Sequence, residues 1–526
     1  MATTTTTQIT QWPGMTQFYS EKAVFITGAT GFMGKCLLEK ILRSLPDVTK
    51  VMILVRPKRG KSMEERMDSL LKSKLFDKIR SENPDVLNKV VPMQGDITEK
   101  GLGLGEEDMK TLTDTCSVVF HLAATIRFDS PLRESLTMNV VAVQELVKIC
   151  KNMKNLASLV HISTAYCHCN RKSRIDEILY PPKIHPDKLL GLLDWMTDEQ
   201  LDAITPSLLD GRPNTYTFTK SVAEYVIANE AKGLPLAIFR PAIVAGSYRE
   251  PYPGWVDCIH GPTGIFVAVG KGLVRVLRCD ENGIADLVPV DLVNNAIISV
   301  GWVTGVNPTP QPIIYNYTSG DLNPIRWIEL YPLVINSYMR SPFDEVFRLP
   351  GLYRCRPAAL WRAWHFIFHL IPGFFADCLL RLRGKKPMML NIYHKLDKAL
   401  IQLDFFIVNS WQFSNTNVEK LYSLMSPEDQ QTFDFDIKKM DWKEFTRAFC
   451  MGTKQYLFNE DPANIPVARK QLDRIRKIHY TFNVIMFLAA SRLVYLRSQL
   501  ARELWNSMLG FCIRMMSKLG VLPWLA

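Results

Sequence analysis

Between residues 20 and 300, short runs of apolar, largely β-branched residues alternate with longer stretches in which apolar side chains recur every three or four positions. The runs are Ala23–Thr27, Val51–Val55, Val90–Met93, Ser117–Ala123, Leu159–Ser163 and Leu236–Phe239. They lack the in-and-out alternation of half-exposed strands, so they read as strands buried on both faces. Phe32–Ser44, a polar insertion reaching about Asn83, and the stretch that holds Tyr216 read as helices. Strand and helix in turn predict an α/β fold with a doubly wound parallel sheet and right-handed crossovers. Such sheets bind ligands beyond the carboxyl ends of their strands, so the residues after each strand are where chemistry is expected.

From about Asp291 the alternation fades, and Pro308–Pro312 and Asn323-Pro324 punctuate a changeover. The expected organisation is a Thr-rich arm over 1–19, a dinucleotide-binding reductase domain over 20–300 and a connecting, substrate-site region over 301–354. A mainly helical domain rich in Trp, Phe and Leu follows over 355–460. Residues 461–479 form a basic linker in which Arg469, Lys470, Arg474, Arg476 and Lys477 are opposed only by Asp473. The tail, 480–526, holds two apolar runs, Tyr480–Leu496 and Leu504–Ala526. A spanning helix needs about 20 residues with about 17 as the lower limit, and Arg492 is close enough to one end to snorkel. The tail is expected to associate with a membrane, by spanning it or by lying flat.

The 526 residues suffice for two or three domains, and 47% hydrophobic with 22% charged residues excludes bulk disorder. The net charge of +11 is spread out and carries no nucleic-acid motif. Eleven cysteines show no disulfide framework, and the arm lacks the apolar core of a signal peptide. The dinucleotide fold is therefore expected to face a reducing cytosol.

The first strand breaks at Thr27-Gly28-Ala29-Thr30-Gly31-Phe32-Met33-Gly34, a GxxGxxG turn opening a helix. Such a turn lets backbone approach a pyrophosphate, whose charge sits at the helix N-terminus. That makes the fold Rossmann-type. An NAD site would place Asp or Glu after the second strand, but this chain has Arg56, Lys58, Arg59 and Lys61 there. Arg56 and Arg59 suit a 2′-phosphate, and Arg56 is best placed for a forked contact. NADPH is the expected cofactor. Asp96 and Ile97 after the third strand are positioned to meet the adenine, and Ala123 and Ala124 after the fourth let the cofactor lie near backbone.

Ser163 and Thr164 end the fifth strand, where a hydroxyl can donate to a carbonyl oxygen. Tyr216 and Lys220 are one helical turn apart on one face. The phenol is the expected general acid, and the ammonium is expected to hold the nicotinamide ribose and lower the phenol's pKa. Cys167-His168-Cys169 looks like a metal cluster, but an extended chain would send His168 to the side opposite the cysteines, so no metal is expected. His365 and His369, in the aromatic stretch Trp361–Ile371, read as core or interfacial packing. Leu190–Met196 and Leu201–Leu209, in the gap before Tyr216, read as an acyl channel or as a surface insertion.

With these residues in place, the chain resembles animal fatty acyl-CoA reductases of the extended short-chain dehydrogenase/reductase type. Besides the glycine turn, the phrases that carry the resemblance are His161–Tyr166, Arg212–Tyr216, Phe239-Arg240-Pro241, Glu250–Trp255, Asp286–Asp291, Trp364-His365-Phe366 and Trp442-Lys443-Glu444. The likeness runs from about residue 18 to about residue 500. It implies reduction of a long-chain acyl-CoA to a primary alcohol, with two NADPH consumed and CoA released. The hydroxyl–Tyr–Lys set would fall on Thr164 or Ser163, Tyr216 and Lys220, with Pro241 beside the cofactor. It also implies attachment to peroxisomes or endoplasmic reticulum, a cytosolic catalytic domain, and alcohols destined for ether lipids and waxes. Self-association is left open. Rival readings are a reductase of another bulky lipid carbonyl, such as a sterol or isoprenoid, one that stops at the aldehyde, and a cofactor-binding membrane scaffold without turnover.

Overall fold

The computed structural model describes residues 12–56, 60 and 62–518. Seven strands build one parallel sheet: β1 (Ala23–Thr27), β2 (Lys50–Val55), β3 (Val90–Gln94), β4 (Cys116–His121), β5 (Ser158–Ile162), β6 (Leu236–Pro241) and β7 (Ile313–Tyr317). Their order is β7-β6-β5-β4-β1-β2-β3. The chain runs outward from β1 to β3 and then returns to β4 on the other side. The crevice between β1 and β4 is therefore the switch point at which such sheets hold a ligand. β4 stops at His121 and β5 at Ile162. Ala123, Ala124, Ser163 and Thr164 thus stand in loops past the strand ends rather than inside strands.

β7 departs from the sequence reading, which had the alternation end before it. Its five residues follow a proline-rich stretch and resemble loop, but they pair with β6 from Ile313↔Ala237 to Tyr317↔Pro241. Tertiary pairing decides so short an apolar run, not local pattern.

Two cores sandwich the sheet. On one face lie α1 (Phe32–Ser44) and α4 (Val290–Val306). On the other lie α2 (Ala142–Lys151), which continues a π-turn over Thr137–Val141, and α3 (Thr215–Glu230). The end of the Thr-rich arm is tied down: Tyr19 Oη donates to Ile298 O at 2.7 Å, and Trp302 Nε1 donates to Pro13 O at 2.8 Å. Residues 1–11 lie outside the described residues.

After the sheet come α5 (Ala358–Leu382) and α6 (Met389–Val408). Residues 409–457 then cover the exposed edge of β7. Asn417 Nδ2 donates to Ile314 O at 2.9 Å, Asn316 Nδ2 to Ser414 O at 2.9 Å, and Tyr317 Oη to Phe435 O at 2.7 Å. Phe413, Phe435, Phe445 and Phe449 are buried in the same core as α1 and α4, so the sheet and its C-terminal cover are continuous. Covering an edge in this way removes a template for unwanted strand pairing.

α7 (Ile465–Arg497) begins in the basic segment and continues unbroken through the first apolar run, so the segment read as a linker is helix. α8 (Gln499–Lys518) follows a bend of 114°. Residues 519–526, the end of the second apolar run, lie outside the described residues.

Candidate active site

The glycine turn is shaped by close backbone approach. Gly28 has φ +76°, and a Cβ there would lie 2.8 Å from Ala123 N. The turns after β1 and β4 are therefore in contact. Gly31 precedes α1 with no side-chain cap, so no side chain fills the helix's N-terminal amides. Thr30 is half-buried in the turn, Gly34 is buried, the Phe32 ring stacks on Trp255 at 5.6 Å, and Met33 O accepts from Asn294 Nδ2 at 3.3 Å. An uncapped helix start beside a cradle that a Cβ would fill fits a dinucleotide pyrophosphate. Ala123 and Ala124 are half-buried beside this turn, and Ala123 N donates to Thr27 Oγ1 at 3.2 Å.

Arg56 and Asp96, assigned separately to ribose and adenine, meet: Nε lies 2.6 Å from Oδ2. Asp96 Oδ1 accepts from Thr98 N at 3.0 Å and Thr98 Oγ1 at 2.9 Å. Partial burial pushes this carboxyl up, but the Thr98 bonds and the Arg56 charge outweigh it and hold it below the usual range. Ile97 is buried beside them, and Pro241 closes β6 opposite Tyr317 of β7. Arg59, with Lys58 and Lys61, lies outside the described residues.

Asn214 starts α3, its Oδ1 accepting from Thr217 N at 2.9 Å, and this sets Tyr216 and Lys220 on the face turned to the sheet. Lys220 is 3% exposed and Nζ donates to Ile162 O at 2.7 Å. Burial lowers its ammonium to about 8 against the opposing pull of Glu224 and Cys167. Burial also drives the Tyr216 phenol well above its usual value; Cys167 adds to this, and a hydrogen bond with the Thr164 side chain opposes it. The expectation that Lys220 lowers the phenol is corrected here, because the ammonium is turned to a backbone carbonyl. Of the two candidate hydroxyls, Thr164 meets the phenol and also accepts from Tyr166 N at 3.3 Å. Ser163 is buried toward Cys167.

Sequence reasoning missed what anchors this helix. Glu224, one turn past Lys220, accepts from Arg240 Nε at 2.8 Å and Arg240 Nη2 at 2.7 Å, both residues being fully buried. His168 Nε2 lies 3.2 Å from Oε2, and Cys167 Sγ donates to Oε1 at 3.3 Å. Burial alone would raise Glu224, but Arg240 and His168 hold it well below its usual value. The signal was available: 216, 220 and 224 share one spacing, and Arg240 sits in an apolar run. Asn139, in the π-turn, was also missed. It ties the loop after β4 to α3, accepting from Thr125 N at 2.9 Å and donating to Thr219 Oγ1 at 2.9 Å.

The extended-chain argument for the Cys167-His168-Cys169 stretch is corrected too. Ala165–His168 forms a 3₁₀ turn that brings Cys167 and His168 together onto Glu224. Arg240 already takes both carboxylate oxygens, and burial raises the Cys167 thiol, so the chemistry of the group is an ion-pair network rather than a cation cage.

An aromatic wall borders Tyr216. Phe128 stacks on it at 5.8 Å, Phe406 from the end of α6 lies 5.5 Å from Phe128, and Tyr166 meets Phe406 edge-on at 5.3 Å. A narrow pocket continues from Tyr166 and Phe406 past Ile243 and Trp411 to Asp286 and Trp327. By contrast, Leu189 and Leu201 of the two helices before Tyr216 are buried, and Leu190, Leu193 and Leu208 pack on the core under α3.

A parallel sheet with a glycine turn at its switch point and a buried Tyr–Lys helix over β5 defines a nicotinamide-dependent oxidoreductase of the short-chain dehydrogenase/reductase type. Residues 26–297 and 368–460 match two family models, both described as male sterility protein. The chain is 42% identical over 501 residues to mouse fatty acyl-CoA reductase 1, covering 95% of this chain and 97% of that protein. It is 41% identical over 500 residues to human fatty acyl-CoA reductase 2, with the same coverage. This chain belongs to the fatty acyl-CoA reductase family. Among solved structures, the terminal R domain of the myxalamid PKS-NRPS pathway aligns with TM-score 0.57 at 20% identity, over 82% of this chain and 91% of that one. The reductase domain of a Mycobacterium tuberculosis non-ribosomal peptide synthetase aligns with TM-score 0.53 at 16% identity, over 84% and 92%. These two share the fold.

Proposed function

We propose that this chain reduces long-chain fatty acyl-CoA to primary alcohol, releasing CoA, with Tyr216 as proton donor and NADPH as reductant. The observation that carries the reading is the half-buried Tyr216, held protonated by its surroundings, beside the Thr164 hydroxyl and one turn from Lys220. NADPH, when bound, supplies the hydride. The α1 amides and the Gly28–Ala123 contact would hold its pyrophosphate, and Arg56, steadied by Asp96, its 2′-phosphate. Lys220 would hold the nicotinamide ribose.

Thr164 and Tyr216 bind the thioester oxygen, and the phenol delivers its proton there as hydride reaches carbon. The resulting hemithioacetal collapses by breaking C–S, giving aldehyde and free thiol. Once the phenolate has taken a proton back from solvent and the spent cofactor has been exchanged, the aldehyde presents the same kind of oxygen to the same phenol, so a second hydride and proton give the alcohol. The aromatic wall of Phe128, Phe406 and Tyr166 excludes water from the intermediate. Each turnover therefore consumes two NADPH per thiol released.

The test is incubation of the full chain with NADPH and hexadecanoyl-CoA, following cofactor oxidation, free thiol and product. Thiol with hexadecanol supports the reading. Thiol with hexadecanal alone makes it aldehyde-forming, and no thiol refutes it. The exposed apolar side chains of α7 and α8 and the cations at the start of α7 favour a peroxisomal membrane tail with the sheet in the cytosol. A fluorescent fusion of residues 465–526 found only on endoplasmic reticulum would overturn that location.

A further inference from the structure

Helix α5 is built inside out. At a spacing of four, His365, His369, Gly373 and Asp377 face the protein and are buried. Each is fastened there. His365 Nε2 lies 2.8 Å from Asp397 Oδ1, and His369 Nε2 accepts from Arg275 N at 2.8 Å and Val276 N at 3.3 Å. Asp377 accepts from the amides of Met388, Met389 and Leu390, which open α6. A Cβ on Gly373 would lie 2.9 Å from the Tyr393 ring. The outward face is apolar: Phe366, Ile367, Phe374, Phe375, Leu379 and Leu382 are 50–83% exposed. A helix in water turns these faces the other way.

His365, His369 and Asp397 converge closely enough to invite a cation. However, His369 Nε2 accepts two backbone N–H groups, which puts the imidazole proton on Nδ1 and leaves no lone pair for a metal. The stripe is an anchor, and its purpose lies on the helix's other side.

We infer that the outward face of α5 lies flat on an anionic lipid bilayer. Three observations favour lipid over another occupant. First, Arg362, Arg381, Arg383, Lys385 and Lys386 flank the apolar face, and the one acid in this stretch, Asp377, is turned inward, which suits anionic headgroups. Second, α5 at 25 residues is long enough to cross a bilayer, but its inner face is bonded to α6 near both ends and to the amides of Arg275 and Val276 at its middle, so it lies on the surface instead. Third, the tail helix α7 starts from the folded body, where Arg469 Nε donates to Arg340 O at 2.6 Å, and it presents a second exposed apolar run from Tyr480 to Leu488.

The inference does not depend on the reaction, yet it bears on it. α6 starts against Asp377 and ends near Phe406, which lies beside Phe128, about 26 Å away at 1.5 Å per residue. α6 thus links the proposed membrane face to the aromatic wall beside Tyr216.

The test attaches an environment-sensitive dye to full-length Phe366→Cys, Phe375→Cys and Leu382→Cys in vesicles of phosphatidylcholine and phosphatidylserine, with the unsubstituted protein correcting for native thiols. Lipids carrying a nitroxide near the headgroup are expected to quench all three dyes to the same extent, matching a helix buried about 5–10 Å into the boundary. Depth that changes from Phe366 to Leu382 would mean the helix spans. Absence of quenching would mean the face meets water, and protection that rises with protein concentration instead would mean a second copy covers it. Each of these three results overturns the inference.

Discussion

Helices α3 and α5 are each organised around an inward polar stripe at a spacing of four, but to opposite ends. In α3 the stripe is Tyr216, Lys220 and Glu224: Lys220 gives an N–H to Ile162 O and Glu224 is locked to Arg240, while the phenol stands beside the Thr164 hydroxyl. In α5 the stripe is His365, His369 and Asp377, and each makes its bonds within the protein. Buried polar groups must be paired, and what they are paired with decides their use. Where the partner would be a cofactor and a substrate, the stripe is a reaction centre. Where the partners are backbone amides and a neighbouring carboxylate, the stripe frees the opposite face to be apolar.

The comparison breaks most easily at Tyr216. Tyr216→Phe is expected to lower turnover by about 10²–10⁴-fold, the usual contribution of a general acid, with NADPH binding in a fluorescence titration little changed. Loss of cofactor binding would mean the ring is structural, as in α5. Next comes Glu224→Gln, which leaves the Arg240 charge buried without its partner. It should destabilise the fold by about 3–5 kcal/mol, read as a large fall in the thermal unfolding midpoint. The matching change in α5, Asp377→Asn, keeps an acceptor for the α6 amides and strands no buried cation, so it is expected to cost less, about 1–3 kcal/mol.

Arg56→Gln sharpens the cofactor side. It should weaken NADPH by about tenfold and leave NADH unchanged, as expected for one charge-assisted contact to a 2′-phosphate. Equal loss for both cofactors would place Arg56 elsewhere. The smallest effect concerns pH. Lys220 in the folded chain sits at about 8, below the 10.5 of a free lysine, so its ammonium is lost as pH rises past about 8. kcat/KM should decline there by up to about tenfold per unit. The stability effect has the opposite sign. Between about 8 and 10.5 the unfolded chain binds more protons, so stability rises with pH through that window.

Much of α3 and little of α5 could be read from the sequence. The glycine turn and Tyr216–Lys220 were legible because local order places them: a turn that needs φ +76° and a helix that sets four-residue spacing. Six of the seven strands of the main sheet were legible because each is an apolar run between helices. β7 was not, since its five residues become strand only against β6. The pairing of Arg56 with Asp96 was hidden because both residues follow strands and their loops meet only in three dimensions. In α5 the sequence read His365 and His369 as core or interfacial packing, and both are buried, but it did not reveal what holds them there. That depends on the amides of Arg275 and Val276, nearly a hundred residues earlier.

The central claim is that one phenol serves both reductions. Its most direct test is to assay Tyr216→Phe and the unsubstituted chain side by side with hexadecanoyl-CoA and with free hexadecanal. The account predicts the same fold-loss for thioester and aldehyde. An aldehyde rate that survives the substitution while the thioester rate collapses would contradict it.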